Sequence, residues 1–123
     1  IGELPVLGVC LGMQAIVEKF GGTLKRLENP KHGIVEEIDC FGQGLFYGMG
    51  NKQSVTRYHS WVVKDLPSNF QIVSHDYAQN IMAVEDHDNK IYGMQFHPES
   101  ILTPGGKDML LNWLRLVNII PTY

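Results

Sequence analysis

The sequence is poor in cysteine. Its 123 residues include only Cys10 and Cys40, which lie far apart along the chain. Disulfide scaffolds need several cysteines, whereas two well-separated thiols in a sequence of mixed composition are typical of a reducing compartment. We therefore expect a cytoplasmic protein with reduced thiols. Its core would be built by the 44% of residues that are hydrophobic rather than by crosslinks.

Long apolar runs and concentrated positive charge are also absent from the sequence. No run approaches the roughly 20 residues of a membrane span, and no signal-peptide pattern is present. The 10 Lys and Arg residues are scattered among 13 Asp and Glu residues, for a net charge of −3. No basic stripe could follow a phosphate backbone. We therefore expect neither a membrane nor a nucleic acid as a partner.

The length and the pattern of elements indicate a mixed α/β chain in which residues 1–123 form a single domain. A helix follows the first strand, with apolar residues at helical spacing and two glycines at its end. Several short segments rich in β-formers come next, and a second helix closes the chain. The predicted strands cover residues 6–9, 33–38, 54–58, 70–74, 81–85 and 90–96, and the predicted helices cover residues 11–20 and 107–118.

A candidate nucleophile lies in Gly8-Val9-Cys10-Leu11-Gly12, between the first strand and the first helix. This is the thiol version of the G-x-S-x-G elbow, in which the glycines remove β-carbons that would collide across the turn. The helix N-terminus favours a thiolate, which is the reactive form of cysteine. The backbone N–H of Leu11 is placed to bind an oxyanion on the attacked carbon.

A buried, inert cysteine in a glycine-rich turn would account for the same five residues, because unpaired cysteine is often a small core residue. Cys40 fits that description better, since Ile38-Asp39-Cys40-Phe41-Gly42 contains neither a base nor a glycine elbow. We interpret Cys40 as structural and Cys10 as the candidate nucleophile.

A candidate base and its orienting acid lie in His97-Pro98-Glu99, directly after the predicted strand at residues 90–96. The imidazole could take the proton of Cys10 and later deliver it to a leaving amine. Glu99 could bind the other ring nitrogen, which fixes the tautomer and stabilises the imidazolium. A strand-end histidine that merely pairs with a nearby carboxylate is the structural alternative.

His59 is the main rival to His97, because it also lies at a predicted strand end. Its nearest carboxylate in sequence, however, is the more distant Asp65. A metal site is a weaker interpretation, since Cys10, His59 and His97 lack the close spacing of metal-binding motifs. We therefore expect no metal.

Three sequence blocks, taken in their order and spacing, resemble the class I glutamine amidotransferases. The match narrows to the glutaminase subunits of anthranilate synthase and of aminodeoxychorismate synthase. The blocks are Gly8-Val9-Cys10-Leu11-Gly12-Met13-Gln14, Thr56-Arg57-Tyr58-His59-Ser60 and Gly93-Met94-Gln95-Phe96-His97-Pro98-Glu99-Ser100.

The resemblance implies a three-layer, flavodoxin-like α/β fold. Its central sheet would be mostly parallel, flanked by helices and carrying an antiparallel extension. Residues 1–123 would correspond to the C-terminal two thirds of the family domain, with the N-terminal strands missing. Because the chain begins with Ile1 rather than Met, we expect it to start inside a longer gene product.

The resemblance also implies glutamine hydrolysis by a triad of Cys10, His97 and Glu99, with the Leu11 N–H as an oxyanion donor. L-glutamine would be held by Gln14, Ser60 and Trp61, the last two largely through backbone groups. His59 would then shape that loop. The ammonia would pass to a larger subunit that aminates chorismate, for anthranilate and tryptophan synthesis, and this subunit would need no cofactor.

Three departures from the family pattern accompany this resemblance. Met13 stands where close relatives usually carry His, and Trp61 replaces a usual Leu. A glycine-rich loop that supplies a second oxyanion N–H would lie upstream of residue 1. Loss of one such donor costs about a hundredfold or more in rate. We therefore expect the 123-residue chain, if isolated, to be poorly active and marginally stable.

Three alternative functions remain open. The product could be aminodeoxychorismate, for folate synthesis, since the larger subunit chooses it. A non-catalytic domain of the same fold should have lost Cys10, His97 or Glu99, and all three are present. A related thiol hydrolase or peptidase agrees less well with Gln14 and the Tyr58-His59-Ser60 loop, which suit a pocket for free glutamine.

Overall fold

The computed structural model describes residues 4–119 of the chain. These residues form six strands and two helices, joined by turns and loops. In chain order they are β1 (Val6–Val9), α1 (Leu11–Lys19), β2 (Thr23–Cys40), β3 (Lys52–Asp65), β4 (Gln71–His75), β5 (Ile81–Asp86), β6 (Ile91–Met94) and α2 (Gly106–Leu116). The strands form one sheet in the order β1-β6-β5-β4-β2-β3.

The two faces of the sheet carry separate apolar clusters, one under each helix. Side chains alternate along a strand, so neighbouring residues point to opposite faces. Val84 accordingly packs in the cluster with α1, whereas Ala83 packs in the cluster that includes Met109 of α2. Every residue of β5 and β6 is buried. The expected α/β class, with a helical layer on each face, is confirmed.

The strand directions differ from the mostly parallel sheet that the resemblance implied. Among the described strands, only β1 and β6 run parallel, and the other pairs are antiparallel. Connections of a few residues join β4 to β5 and β5 to β6. Such short connections permit only antiparallel pairing, because a parallel pair needs a long crossover.

The strands β2 and β3 form a ribbon much longer than the predicted segments at residues 33–38 and 54–58. Their pairing runs from Thr23↔Asp65 to Asp39↔Lys52, with the register interrupted between Arg26 and Lys31. Charged residues are tolerated because much of β2 is exposed. The ribbon brings residues 57–61 of β3 next to the N-terminus of α1.

Both helices begin and end near their predicted limits. Met13, Ile16 and Val17 form the buried face of α1, and Phe20 packs edge-on against Phe70 at 5.5 Å. In α2, Met109 and Asn112 are buried, and Trp113 and Leu116 pack against the same core while partly buried. In residues 4–119 no helix has the length and hydropathy needed to cross a membrane.

Candidate active site

Cys10 lies at the turn where β1 ends and α1 begins. Its backbone has φ 55° and ψ −108°, a left-handed conformation that a residue with a β-carbon rarely adopts. Its N–H donates to the carbonyl of Met94 at 2.7 Å, which fixes the turn against the end of β6. Strained backbone of this kind is typical of functional sites, and here it matches the predicted nucleophile elbow.

The two glycines of the elbow have different roles. A β-carbon on Gly8 would lie 2.6 Å from Ile16 Cδ1 and 2.7 Å from the carbonyl carbon of Gly12. A β-carbon on Gly12 would meet nothing within 4 Å. The prediction that both glycines relieve a collision is therefore correct for Gly8 and wrong for Gly12, whose backbone is the surface that Gly8 approaches.

An open pocket of about 520 Å³ lies over Cys10. Most of the site residues predicted from the sequence line this pocket, and they come from the elbow, from β3 and from the segment after β6. Glu99 is outside the lining and contacts it through His97. The lining residues are Val9, Cys10, Leu11, Gln14, Lys31, His32, Tyr58, His59, Ser60, Trp61 and His97.

The surroundings of Cys10 favour the thiol over the thiolate. Burial raises its pKa above the ordinary value, while the Leu11 N–H and the Gln95 amide lower it and the charge of Glu99 raises it. The sulfur donates to the carbonyl of Tyr58 at 3.5 Å. The first N–H of the helix lowers the pKa of the thiol, as expected, but desolvation of the anion is the larger effect.

His97 and Glu99 form the contact that the sequence predicted. The Nδ1 atom of His97 lies 2.8 Å from Oε2 of Glu99, which is largely exposed. The backbone of His97 is held by Thr56 and Thr103, at 3.2 Å and 2.9 Å. With Nδ1 directed to the carboxylate, Nε2 is the ring atom that remains for proton transfer. Proton transfer requires Nε2 to meet the Cys10 thiol, and catalytic hydrogen bonds of this kind often form only when substrate is bound.

Gln14 is buried and its side-chain nitrogen is fully used inside the protein. It donates to the carbonyl of Trp61 at 2.9 Å and to Oε1 of Gln95 at 3.1 Å. Only the carbonyl oxygen of Gln14 is left for a ligand in the pocket. Ser60 is half-buried and the Trp61 side chain is exposed, and both line the pocket with Gln14.

His59 is held as a neutral side chain by its neighbours. Its Nε2 accepts from Nε of Arg57 at 3.0 Å, so Nδ1 carries the hydrogen and donates to the carbonyl of Trp61 at 3.1 Å. Burial lowers the pKa of His59 to about 4. With both ring nitrogens engaged, His59 is not available as the base for Cys10.

Arg57 is fully buried beside the pocket. Its guanidinium lies 3.0 Å from Asp76 and 3.4 Å from Glu36. Lys31, at the pocket wall, pairs with the same Glu36 at 2.7 Å. The positive charges of Arg57 and Lys31 beside the pocket are therefore neutralised by carboxylates within the fold, as buried charges must be.

Sequence reasoning missed Gln95, Lys31 and His32 as neighbours of Cys10, and it assigned Tyr58 to the glutamine pocket without predicting its contact with the sulfur. Gln95 is fully buried, and its Nε2 donates to Sγ of Cys10 at 3.7 Å. The available signal was a polar residue at the end of an apolar strand, directly before the candidate base. The other three lie on the long ribbon, and only its register brings them to the elbow.

Cys40 has the environment of a structural thiol. It is buried against Ser74, with Sγ and Oγ 3.6 Å apart, and burial raises its pKa to about 11. Neither it nor Cys10 is in a disulfide. The interpretation of Cys40 as structural agrees with these contacts.

Comparison with known proteins identifies the family to which the chain is similar. Residues 1–117 match the family model "Glutamine amidotransferase class-I". The chain is 44% identical over 115 residues to the aminodeoxychorismate/anthranilate synthase component 2 of Bacillus subtilis, covering 92% of the chain and 59% of that relative. It is 43% identical over 115 residues to the aminodeoxychorismate synthase component 2 of Escherichia coli, covering 92% and 62%.

An anthranilate synthase component 2, from Haemophilus influenzae, is 41% identical over 115 residues, covering 91% of the chain and 59% of that relative. The chain thus spans less than two thirds of each of these proteins. A solved glutamine amidotransferase from Thermotoga maritima superposes with a TM-score of 0.71 at 22% identity, covering 95% of the chain and 48% of that structure. This likeness is one of fold and confirms the expected α/β amidotransferase class.

Proposed function

The chain belongs to the class I glutamine amidotransferase family, and on that basis we propose that it hydrolyses glutamine and supplies the ammonia to a chorismate-aminating synthase. One observation carries the proposal. Cys10, on a strained elbow, opens into the same pocket as His97, whose Nδ1 lies 2.8 Å from Glu99. A nucleophile, a base and an acid that orients the base are the groups required for acyl transfer through a thioester.

The first half of the reaction releases ammonia. Nε2 of His97 takes the Sγ proton of Cys10, and the sulfur attacks the side-chain amide carbon of glutamine. The Leu11 N–H donates to the oxyanion that forms. When the carbon–nitrogen bond breaks, His97 returns its proton to the leaving nitrogen, so that ammonia departs and a thioester remains on Cys10.

The second half releases glutamate. His97 takes a proton from water, the resulting hydroxide attacks the thioester carbon, and the carbon–sulfur bond breaks. The proton on His97 then returns to the sulfur and restores the thiol. Glu99 stabilises the imidazolium in both halves, because its carboxylate faces Nδ1 throughout.

The glutamine substrate would be held by Gln14, Ser60 and Trp61. All three line the pocket beside Cys10. The free oxygen of Gln14 suits the α-ammonium of an amino acid, since the Gln14 nitrogen is already engaged by Trp61 and Gln95. Ser60 and Trp61 would hold the α-amino and α-carboxylate groups of the substrate, largely through backbone groups. We propose no cofactor and no metal for this component.

The partner would be the larger, chorismate-binding subunit of the synthase. The relatives' names describe them as component 2 of a synthase. Anthranilate synthesis is our first proposal for the pathway. Aminodeoxychorismate synthesis is the second, favoured by the Escherichia coli relative and by the Bacillus subtilis relative, whose name carries both products.

The proposal is tested by Cys10→Ser in the complete gene product that carries this chain, assayed with each kind of large subunit. We expect the variant to lose glutamine-dependent product formation and to keep ammonia-dependent formation by the partner. Cys40→Ser is the matched control, because that thiol is buried and faces Ser74, and it should keep both activities. Glutamine-dependent product from the Cys10 variant would contradict the nucleophile assignment. The subunit that yields product decides the pathway.

A further inference from the structure

A continuous chain of side-chain hydrogen bonds reaches the sulfur of Cys10 from inside the protein. Gln95 follows β6, is fully buried and places Nε2 3.7 Å from Sγ of Cys10. The Oε1 atom of Gln95 accepts from Gln14 at 3.1 Å, and Gln14 donates in turn to the carbonyl of Trp61 at 2.9 Å. His59 donates to the same carbonyl at 3.1 Å.

The direction of every hydrogen bond in this chain is fixed by its chemistry. A backbone carbonyl can only accept, so Trp61 must be faced by the nitrogen of Gln14. That nitrogen needs an acceptor at its other contact, so Gln95 turns its oxygen toward Gln14. The Gln95 nitrogen, and not its oxygen, therefore faces the sulfur. Arg57 can only donate, so Nε2 of His59 must accept from it, and Nδ1 of His59 must carry the hydrogen that is donated to Trp61.

We infer that Gln95 is a catalytic residue whose amide N–H stabilises the negative charge on the Cys10 sulfur, and that Gln14 is the positioning residue that orients this amide. The inference rests on the proposed role of Cys10 as the nucleophile. Gln95 gives up no proton and forms no covalent bond. It remains a donor to the sulfur while the thiol proton passes to His97 and when the sulfur leaves the thioester.

Such a donor matters because several other features around the sulfur disfavour the anion. The resting thiol donates to the carbonyl of Tyr58, and that oxygen would face the thiolate once the proton has left. Burial also disfavours the charge, and Glu99 adds a repulsive carboxylate. Gln95 and the Leu11 N–H are the groups that lower the pKa of the thiol.

Titration of Cys10 in the complete gene product tests this role without relying on glutamine hydrolysis. The rate of alkylation by iodoacetamide is followed from about pH 6 to about pH 10, since only the thiolate reacts. The modified peptide that contains Cys10 is quantified by mass spectrometry. Cys40 is the internal reference, because its pKa of about 11 keeps it slow across this range.

Three variants are compared. Gln95→Met removes the amide from a buried site with little change in length. Gln14→Met leaves Gln95 in place and removes the group that orients it. Gln71→Met is the control on the exposed start of β4.

The variants are compared by their alkylation rates below the midpoint, because burial raises the pKa of Cys10. We expect Gln95→Met to slow alkylation at about pH 7.5 roughly tenfold, as a rise of about one unit in the pKa of the thiol would. Gln14→Met should slow it about threefold, and Gln71→Met should not change it. Unchanged rates in folded Gln95→Met and Gln14→Met proteins would overturn the inference. If Gln95→Met does not fold, as judged by circular dichroism, Gln14→Met decides alone. Glutamine use that survives Cys10→Ser would instead overturn the proposed function, whatever these rates are.

Discussion

Gly8 and Gly93 are register partners on the parallel pair β1 and β6, and α1 lies across both of them. A β-carbon on Gly8 would stand 2.6 Å from Ile16, and one on Gly93 would stand 2.7 Å from Met13. Because neither glycine has a β-carbon, the helix approaches the sheet closely at both positions. The start of α1, and with it the backbone of Cys10, is held in place by that contact.

Gly8→Ala should destabilise the protein strongly, whereas Gly12→Ala should not. The new β-carbon at Gly8 would lie 2.7 Å from the backbone of Gly12, which cannot move aside as a side chain can. We expect a loss of about 3 kcal/mol or more in the free energy of unfolding. At Gly12, where the β-carbon meets nothing, alanine should add up to about 1 kcal/mol through helix propensity. Urea denaturation measures both, and equal effects would contradict the close-approach account.

Glu99→Gln should slow the proposed glutaminase reaction without unfolding the protein. The amide keeps the shape of the carboxylate but removes the charge that faces Nδ1 of His97 at 2.8 Å. We expect kcat to fall by about tenfold to a thousandfold, with KM little changed, since general acid–base catalysis contributes on that order. Glu37→Gln on exposed β2 is the control. Steady-state release of glutamate measures kcat, and unchanged turnover would remove Glu99 from the proposed triad.

Arg57 and Asp76 should be energetically coupled. Arg57→Met would leave the nearly buried carboxylate of Asp76 without its guanidinium at 3.0 Å, which we expect to cost about 3 to 5 kcal/mol. Adding Asp76→Asn removes the unpaired charge. The double variant should therefore be more stable than the sum of the single losses predicts, by about 1 to 3 kcal/mol. A double-mutant cycle by chemical denaturation measures this coupling, and simple additivity would contradict the ion pair.

His59 should make the protein sensitive to mild acid. The unfolded side chain takes up a proton as pH falls through its usual pKa of 6.5, whereas burial holds the folded pKa at about 4. The unfolded state therefore binds more protons between these values, and stability falls as pH falls. We expect a loss of about 2 to 3 kcal/mol through His59 between about pH 7.5 and about pH 4.5.

His59→Gln isolates this effect, because glutamine offers both an acceptor for Arg57 and a donor for Trp61 but does not titrate. Denaturation midpoints of the two proteins are compared across the pH range. The wild-type protein should lose more stability toward acid than the variant. The same pH dependence in both would mean that His59 is not its source.

Features set by neighbours in sequence were the ones that could be predicted. Cys10 between a strand and a helix, and Glu99 two residues after His97, are local patterns, and their geometry follows from short segments of chain. The limits of β1 and α1 were predicted closely for the same reason. The left-handed backbone of Cys10 is the local consequence of that pattern.

Features set by pairing between distant segments were not predicted. The full length of β2 and β3 was missed because the strands stabilise each other across a ribbon, with little regular alternation in either one. Gln95 and Arg57 were missed for a related reason. Their partners lie many residues away, so their roles depend on a register that no single segment records.

The hydrogen bonds that converge on the carbonyl of Trp61 have an evolutionary consequence. An obligate donor at Arg57 and an obligate acceptor at Trp61 determine how His59, Gln14 and Gln95 must be oriented. A change at any one of these side chains reverses or breaks a contact of the next. The four positions that contribute side chains, Arg57, His59, Gln14 and Gln95, should therefore change together in homologues, whereas position 61 can vary because its contribution to these bonds is a backbone carbonyl.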